Sequence, residues 1–129
     1  MTWKLSAKSE ERLRGVHPDL IKVCREALKI SPIDFGIPQY GGLRSEADQV
    51  GLFAKGVSKC DGICNLSYHQ SGKALDFYAY VDGAASWDKL HLSLVAASFL
   101  QAASELGIKL EWGGLWKNFK DFPHVQLPK

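Results

Sequence analysis

Three side chains in this 129-residue sequence have the chemistry of a metal site: His69, Asp76 and His124. Imidazole nitrogen and carboxylate oxygen are both zinc ligands. Three protein ligands leave a fourth tetrahedral position for water, the pattern of a catalytic zinc rather than a structural one. His69 and Asp76 stand seven residues apart in "NLSYHQSGKALDFYAYV", and His124 follows near the C-terminus. With four histidines and eight aspartates in the chain, a His-x6-Asp pair arises easily by chance. Its weight depends on the elements that position it.

Those elements are legible. Gly72 permits a tight turn between His69 and the run that follows, and Ser67 is placed to hydrogen-bond within that loop or to a ligand. Residues 73–81 alternate, with Leu75, Phe77, Ala79 and Val81 on one face and Ala74, Asp76, Tyr78 and Tyr80 on the other. If the first set faces the core, Asp76 points away from it, and Tyr78 shares its face as a cleft residue. "HVQL" alternates again, with Val125 and Leu127 inward and His124 and Gln126 outward. Two strands thus each present one ligand on the face away from their apolar residues.

The rest of the chain supplies helices and short connections. A short polar helix is expected over 6–14, and a second from Pro18, with Asp19 in its first turn and His17 at its entry. Leu20, Val23, Cys24, Ala27 and Leu28 give that helix its apolar face. Ser45 caps a helix over 46–55, and Ser86 one over 87–106 that is apolar almost all round, contains His91 and ends at Gly107. Short strands are expected at 35–39 and 108–112, and a long loop over 56–72. The order predicts an α+β fold: a small, mainly antiparallel sheet, helices packed on one side, and the zinc site on the opposite face.

Composition narrows the function classes. The net charge is +2, and no run of basic residues marks a nucleic-acid stripe. No apolar stretch approaches the ~20 residues needed to span a bilayer, and the N-terminus lacks the apolar segment of a signal peptide. Three cysteines make no disulfide framework. Cys60 and Cys64 in "CDGIC" lack the spacing and the partners of a zinc knuckle, so this reads as a loop feature without metal. The length suits one domain with one core.

At this point the residues resemble a known family. "SYHQSGKALD" matches Ser-x-His-x-x-Gly-x-Ala-x-Asp at every fixed position. That is the pattern of the zinc peptidases comprising D-alanyl-D-alanine carboxypeptidases and L-alanyl-D-glutamate endopeptidases. A second family motif, an acidic residue three positions before the third ligand, matches "DFPH". "WGGLWKNFKDFPH" looks like the single-domain phage endolysins of this group, and the resemblance runs from about Ser6 to Leu127. It implies that Zn²⁺ is held by His69, Asp76 and His124. It implies Asp121 as the general base and then the acid, and Arg44 as the group that steadies the substrate's carbonyl or carboxylate. Gln49 and Ser67 carry over as substrate-binding positions. Leu115 departs from the acidic residue that many relatives have after "WGG".

The function expected from the resemblance is a zinc-dependent peptidoglycan peptidase that cuts the L-Ala–D-Glu bond of the peptide stem for host-cell lysis. The alternatives are D-alanyl-D-alanine carboxypeptidase activity at the same site and a non-catalytic, zinc-stabilised wall-binding module. The expected organisation is a monomer with a single zinc peptidase domain over residues 1–129 and no separate cell-wall-binding domain. It would be made in the host cytoplasm and reach the wall once the membrane is permeabilised, with no membrane insertion and no nucleic-acid partner.

Overall fold

A computed structural model describes residues 3–128 and shows an α+β fold. Helix α1 (Ala7–Arg12) begins at Ser6, whose side chain accepts from the Ser9 N–H. Helix α2 (Pro18–Ile30) begins at His17, whose Nδ1 accepts from the Asp19 N–H at 3.0 Å. That imidazole is a helix cap, as its place before Pro18 suggests. Helix α3 (Glu46–Ala54) is capped by Ser45. Helix α4 (Lys89–Leu106) ends at Gly107, whose φ of +70° is the left-handed stop that glycine adopts without a Cβ clash.

Two expectations for α4 need correction. Its cap is Asp88 rather than Ser86, with the Asp88 carboxylate accepting from Leu90 N–H. Nor is it buried all round. Leu92, Val95, Ala96, Phe99, Ala102 and Ala103 form a buried stripe that packs against α2, whereas Leu90, Leu94 and Leu106 face solvent.

The sheet is two sheets. Strands β1 (Asp34–Gly36), β3 (Tyr78–Val81) and β4 (Ala84–Ser86) form one antiparallel set in the order β1-β3-β4. Strands β2 (Ala74–Asp76), β6 (His124–Gln126) and β5 (Glu111–Trp112) form the other, in the order β2-β6-β5. The run read as one strand over 73–81 therefore breaks at Phe77. There the backbone leaves both ladders, and the Phe77 N–H donates to the Pro123 carbonyl at 2.9 Å. The Phe77 ring stacks on Phe99 at 5.1 Å between centroids and meets Phe35 edge-on. Burying this ring between the sheets and α4 fixes the crossover, and truncating a ring of this kind typically costs about 3–5 kcal/mol. Strand β4 was not expected. It closes a two-residue hairpin in which Asp82 (φ 52°) and Gly83 (φ 80°) are both left-handed, the geometry that Asp-Gly favours.

One contiguous apolar cluster lies between the α2/α4 layer and the inner faces of the strands, with Leu75, Phe77, Ala79 and Val125 fully buried. Helix α3 contributes nothing to that cluster. Its one buried residue is Gln49, which ties it to the other side of the β2-β6-β5 sheet. No helix among the described residues is long and apolar enough to cross a membrane.

Candidate active site

The β2–β6 ladder sets Leu75 opposite Val125 and Asp76 opposite His124. Strand alternation then sends the first pair into the core and the second to the far face. His69 joins them from a 3₁₀ turn over Tyr68–Ser71. Ser67 caps that turn by accepting from His69 N–H, while the Gln70 side chain accepts from Ser67 N–H, a reciprocal capping box. Gly72 ends it at φ +74°, with its α-carbon so close to the Gly15 carbonyl that a Cβ would lie 2.5 Å from that oxygen. Only glycine serves here.

The result is a compact set of ligand atoms. One atom each from His69, Asp76 and His124 lies within 4.8 Å of the others. Asp76 Oδ1 is 3.3 Å from His69 Nε2 and 3.0 Å from His124 Nδ1. The His69 Nδ1–H donates to the Gly42 carbonyl at 2.9 Å, which leaves Nε2 as the lone-pair nitrogen. That Nε2 is buried and makes no hydrogen bond. A buried polar atom without a partner is costly in an ordinary protein interior. Here it points at a carboxylate and a second imidazole, and all three fit a divalent metal.

Electrostatics agree. Burial opposes ionisation of Asp76, but the neighbouring His69 and His124 override it and hold the carboxyl below the usual carboxylate range. Burial also works against the charged form of His124, yet its hydrogen bond to Asp76 outweighs this and raises its pKa. Asp121 moves the opposite way from Asp76: burial, reinforced by the Asp76 charge, pushes its carboxyl up. Its Oδ2 lies 3.8 Å from His124 Nδ1, beside the ligand atoms.

Arg44 completes the polar cluster. Its Nη2 donates to Asp76 Oδ2 at 3.1 Å, Nη1 to Gln49 Oε1 at 3.0 Å and Nε to the Tyr40 carbonyl at 2.7 Å. Burial weakens the guanidinium's hold on its proton, an effect opposed by Asp76. Each Nη atom keeps an N–H that these bonds do not use.

A cleft of about 380 Å³ opens over this cluster, with Lys59 and Phe119 at its wall and the ammonium 4.2 Å from the ring centroid. Arg44, His69, Asp76, Asp121 and His124 all line it, and so does Ser67. The structure thus brings together six of the eight residues assigned from sequence. Gln49 is fully buried, and donates from Nε2 to Ser58 Oγ and the Cys60 carbonyl while holding Arg44. Its burial and these bonds make it a strut between the arginine and the 58–60 loop. Tyr78 lies elsewhere. Because the chain changes sheet at Phe77, Tyr78 lines a separate hollow with Asp34, Gly36 and Tyr80, and leans on Trp87. The cleft aromatics are instead Tyr68, Phe119 and Trp116, whose ring is 5.2 Å from that of His124. Trp112 and Phe122 pack against each other in the loop. Cys60 and Cys64 are both free thiols, and Cys60 lines the cleft.

Several supporting residues escaped sequence reasoning. Gly113 packs against the Asp121 backbone so closely that a Cβ would strike its carbonyl oxygen, and its own carbonyl accepts from Asp121 N–H at 2.9 Å. Gly42 supplies the carbonyl that orients His69. The "GG" pairs in the sequence were the available signal, since adjacent glycines outside a hairpin mark close backbone approach.

A family model described as phage L-alanyl-D-glutamate peptidase matches residues 1–126. The chain belongs to that family. Within it, the L-alanyl-D-glutamate peptidase of Escherichia phage T5 is 39% identical over 123 residues, covering 95% of this chain and 88% of the relative. The peptidoglycan L-alanyl-D-glutamate endopeptidase CwlK of Bacillus subtilis is 33% identical over 125 residues, covering 87% of this chain and 73% of that one. Among solved structures, the Serratia marcescens L-Ala D-Glu endopeptidase ChiX superposes with a TM-score of 0.84 at 42% identity, over 97% of this chain and 90% of its own. Membership of this peptidase family agrees with the fold and with a cleft built around three residues that could hold a metal.

Proposed function

We propose that the protein is a zinc-dependent peptidase that hydrolyses the L-Ala–D-Glu bond of the peptidoglycan stem and serves host-cell lysis. The observation that carries this reading is the partnerless Nε2 of buried His69, aimed at Asp76 and His124 on the floor of a cleft that also holds Asp121. The names of the T5, CwlK and ChiX relatives support the choice of bond. The ligand set of two imidazoles and one carboxylate favours zinc, and it leaves a position open for chemistry.

His69 would bind through Nε2, His124 through Nδ1, and Asp76 through Oδ1. Zinc, when bound, supplies Lewis acidity and acidifies water toward neutral pH. Asp121, ionised, takes a proton from the attacking water and then delivers it to the departing amine of D-Glu. Without that proton the amine would be a poor leaving group. Arg44 keeps Asp76 aligned and turns its unused N–H donors and positive charge toward the oxyanion that develops on the scissile carbonyl. Trp116 and Phe119 give the cleft an apolar wall for the backbone and alanine methyl of the stem.

A digest of purified peptidoglycan read by mass spectrometry tests the reading. New D-Glu N-termini are expected, and they should disappear on chelation and return with Zn²⁺. Release of free D-Ala instead would reassign the bond, and binding to the wall without any new terminus would remove catalysis from the protein.

A further inference from the structure

Behind His124 lies a chain of two hydrogen bonds that leads out of the site. His124 Nε2 meets Gln126 Oε1 at 2.8 Å, and Gln126 Nε2 donates to Glu111 Oε1 at 3.0 Å. The backbone dictates this arrangement. Gln126 follows His124 by two residues on β6 and so shares its face, while the β5–β6 register sets Glu111 directly opposite Gln126. We propose that Gln126 and Glu111 are positioning residues that fix which nitrogen of His124 faces the metal.

A glutamine side chain presents oxygen on one side and NH₂ on the other, and a flip exchanges them. Glu111, as a carboxylate, only accepts, so it takes the NH₂ and obliges Oε1 to face His124. An oxygen at that place accepts from Nε2–H. In the neutral imidazole that binds a metal, the lone pair is then left on Nδ1, the atom that carries a proton toward Asp76 Oδ1 at 3.0 Å when His124 is charged. The reversed amide would offer N–H to Nε2, move the imidazole proton to Nδ1 and close the ligand position. His69 has the same need met by a different donor–acceptor pair, since the Gly42 carbonyl holds its Nδ1–H and frees Nε2. The backbone carbonyl cannot flip. Gln126 can, and Glu111 is what prevents it. Outer partners of this kind typically change metal affinity about 10–100-fold.

This inference rests on the triad being a zinc site, and the test separates the two. Zinc affinity is measured by competition with a chromophoric chelator, without substrate. The Nε2–H of His124 is followed in long-range ¹H–¹⁵N spectra of the zinc-loaded protein. Gln126→Leu is expected to weaken zinc binding about 10–100-fold and to lose that proton signal. The paired variant Gln126→Glu with Glu111→Gln, which keeps an acceptor toward Nε2 and a donor behind it, should restore both. Glu111 is exposed at the surface, so Glu111→Lys is tolerated by the fold. A lysine there would donate to Oε1 and turn the amide, and a loss close to that of Gln126→Leu is expected. If the parent binds no zinc, the reading of the site itself fails. If the parent binds zinc and the Gln126→Leu and Glu111→Lys variants bind it equally well, the positioning role is refuted. Failure of the paired variant, Gln126→Glu with Glu111→Gln, to restore zinc affinity and the proton signal refutes it too.

Discussion

The Asp121 carboxylate reaches to 3.8 Å from His124 Nδ1 from a loop three residues upstream, so the proposed proton carrier and the last ligand share one short segment. Asp121→Asn keeps the shape but removes the basic oxygen. A loss of about 10²–10⁴ in kcat is expected, with zinc affinity little changed. Steady-state kinetics on a stem peptide alongside chelator competition checks this. A variant as active as the parent would strip Asp121 of its role.

Arg44 is held by three acceptors, and one of them is Asp76, a proposed metal ligand. Arg44→Lys retains the charge but cannot span Asp76, Gln49 and the Tyr40 carbonyl together. Loss of a charge-assisted bond of this type is worth about 1.5–3 kcal/mol, so kcat/KM should fall ~10–100-fold. Gln49→Ala should lower thermal stability as well, because it strands the Cys60 carbonyl and Arg44 at once. Melting curves with kinetics distinguish the two effects.

Gly113→Ala forces a methyl group against the Asp121 carbonyl. The ladder between β2 and β6 is not touched by that change, so the triad should persist while Asp121 is displaced. The expected signature is a large fall in kcat with zinc affinity near that of the parent. Equal loss of both would mean that the loop and the ligands move as one unit.

With no metal bound, the triad carries a pH linkage. In the folded protein, Asp76 titrates below its ordinary value and His124 above its own. The Asp76 contribution is present above its unfolded pKa of about 3.9 and is lost as pH falls through the lower, folded one. The His124 contribution is full below its unfolded pKa of about 6.5 and is lost as pH rises through the higher, folded one. Between these limits the pair stabilises the chelated protein most. Thermal melts in the presence of chelator should therefore show a drop in Tm on both sides of about pH 4–6.5 that Asp76→Asn flattens. A parallel pH profile in the two proteins would contradict the assignment.

Much of this site is readable along the chain. Local chemistry marks Ser67 and Gly72 around His69, because a capping hydroxyl and a left-handed glycine act within a few residues of themselves. Alternation along "HVQL" and "ALD" sends His124 and Asp76 away from Val125 and Leu75, because the two-residue period of a strand needs no tertiary information. The family motif marks Asp121 and Arg44. The α+β class follows from the periodicities of α2 and α4 and from these short strands.

Other features belong to the tertiary structure alone. The break at Phe77 moves Tyr78 to another sheet, and no local signal announces it: the same alternation fits one strand or two, and the burial of one ring among Phe35, Phe99 and α4 decides. Gln49 looks from its type like a surface residue free to touch substrate. Only the packing of α3 over Arg44 and the 58–60 loop reveals it as a buried strut. The same is true of Glu111, fifteen residues from Gln126, since cross-strand register is a long-range quantity. The sequence by itself determined which groups can bind a metal and move a proton. Folding decided which atoms of those groups face one another, because hydrogen-bond partners such as Gly42 for His69 and Arg44 for Asp76 come from distant segments brought together by core burial.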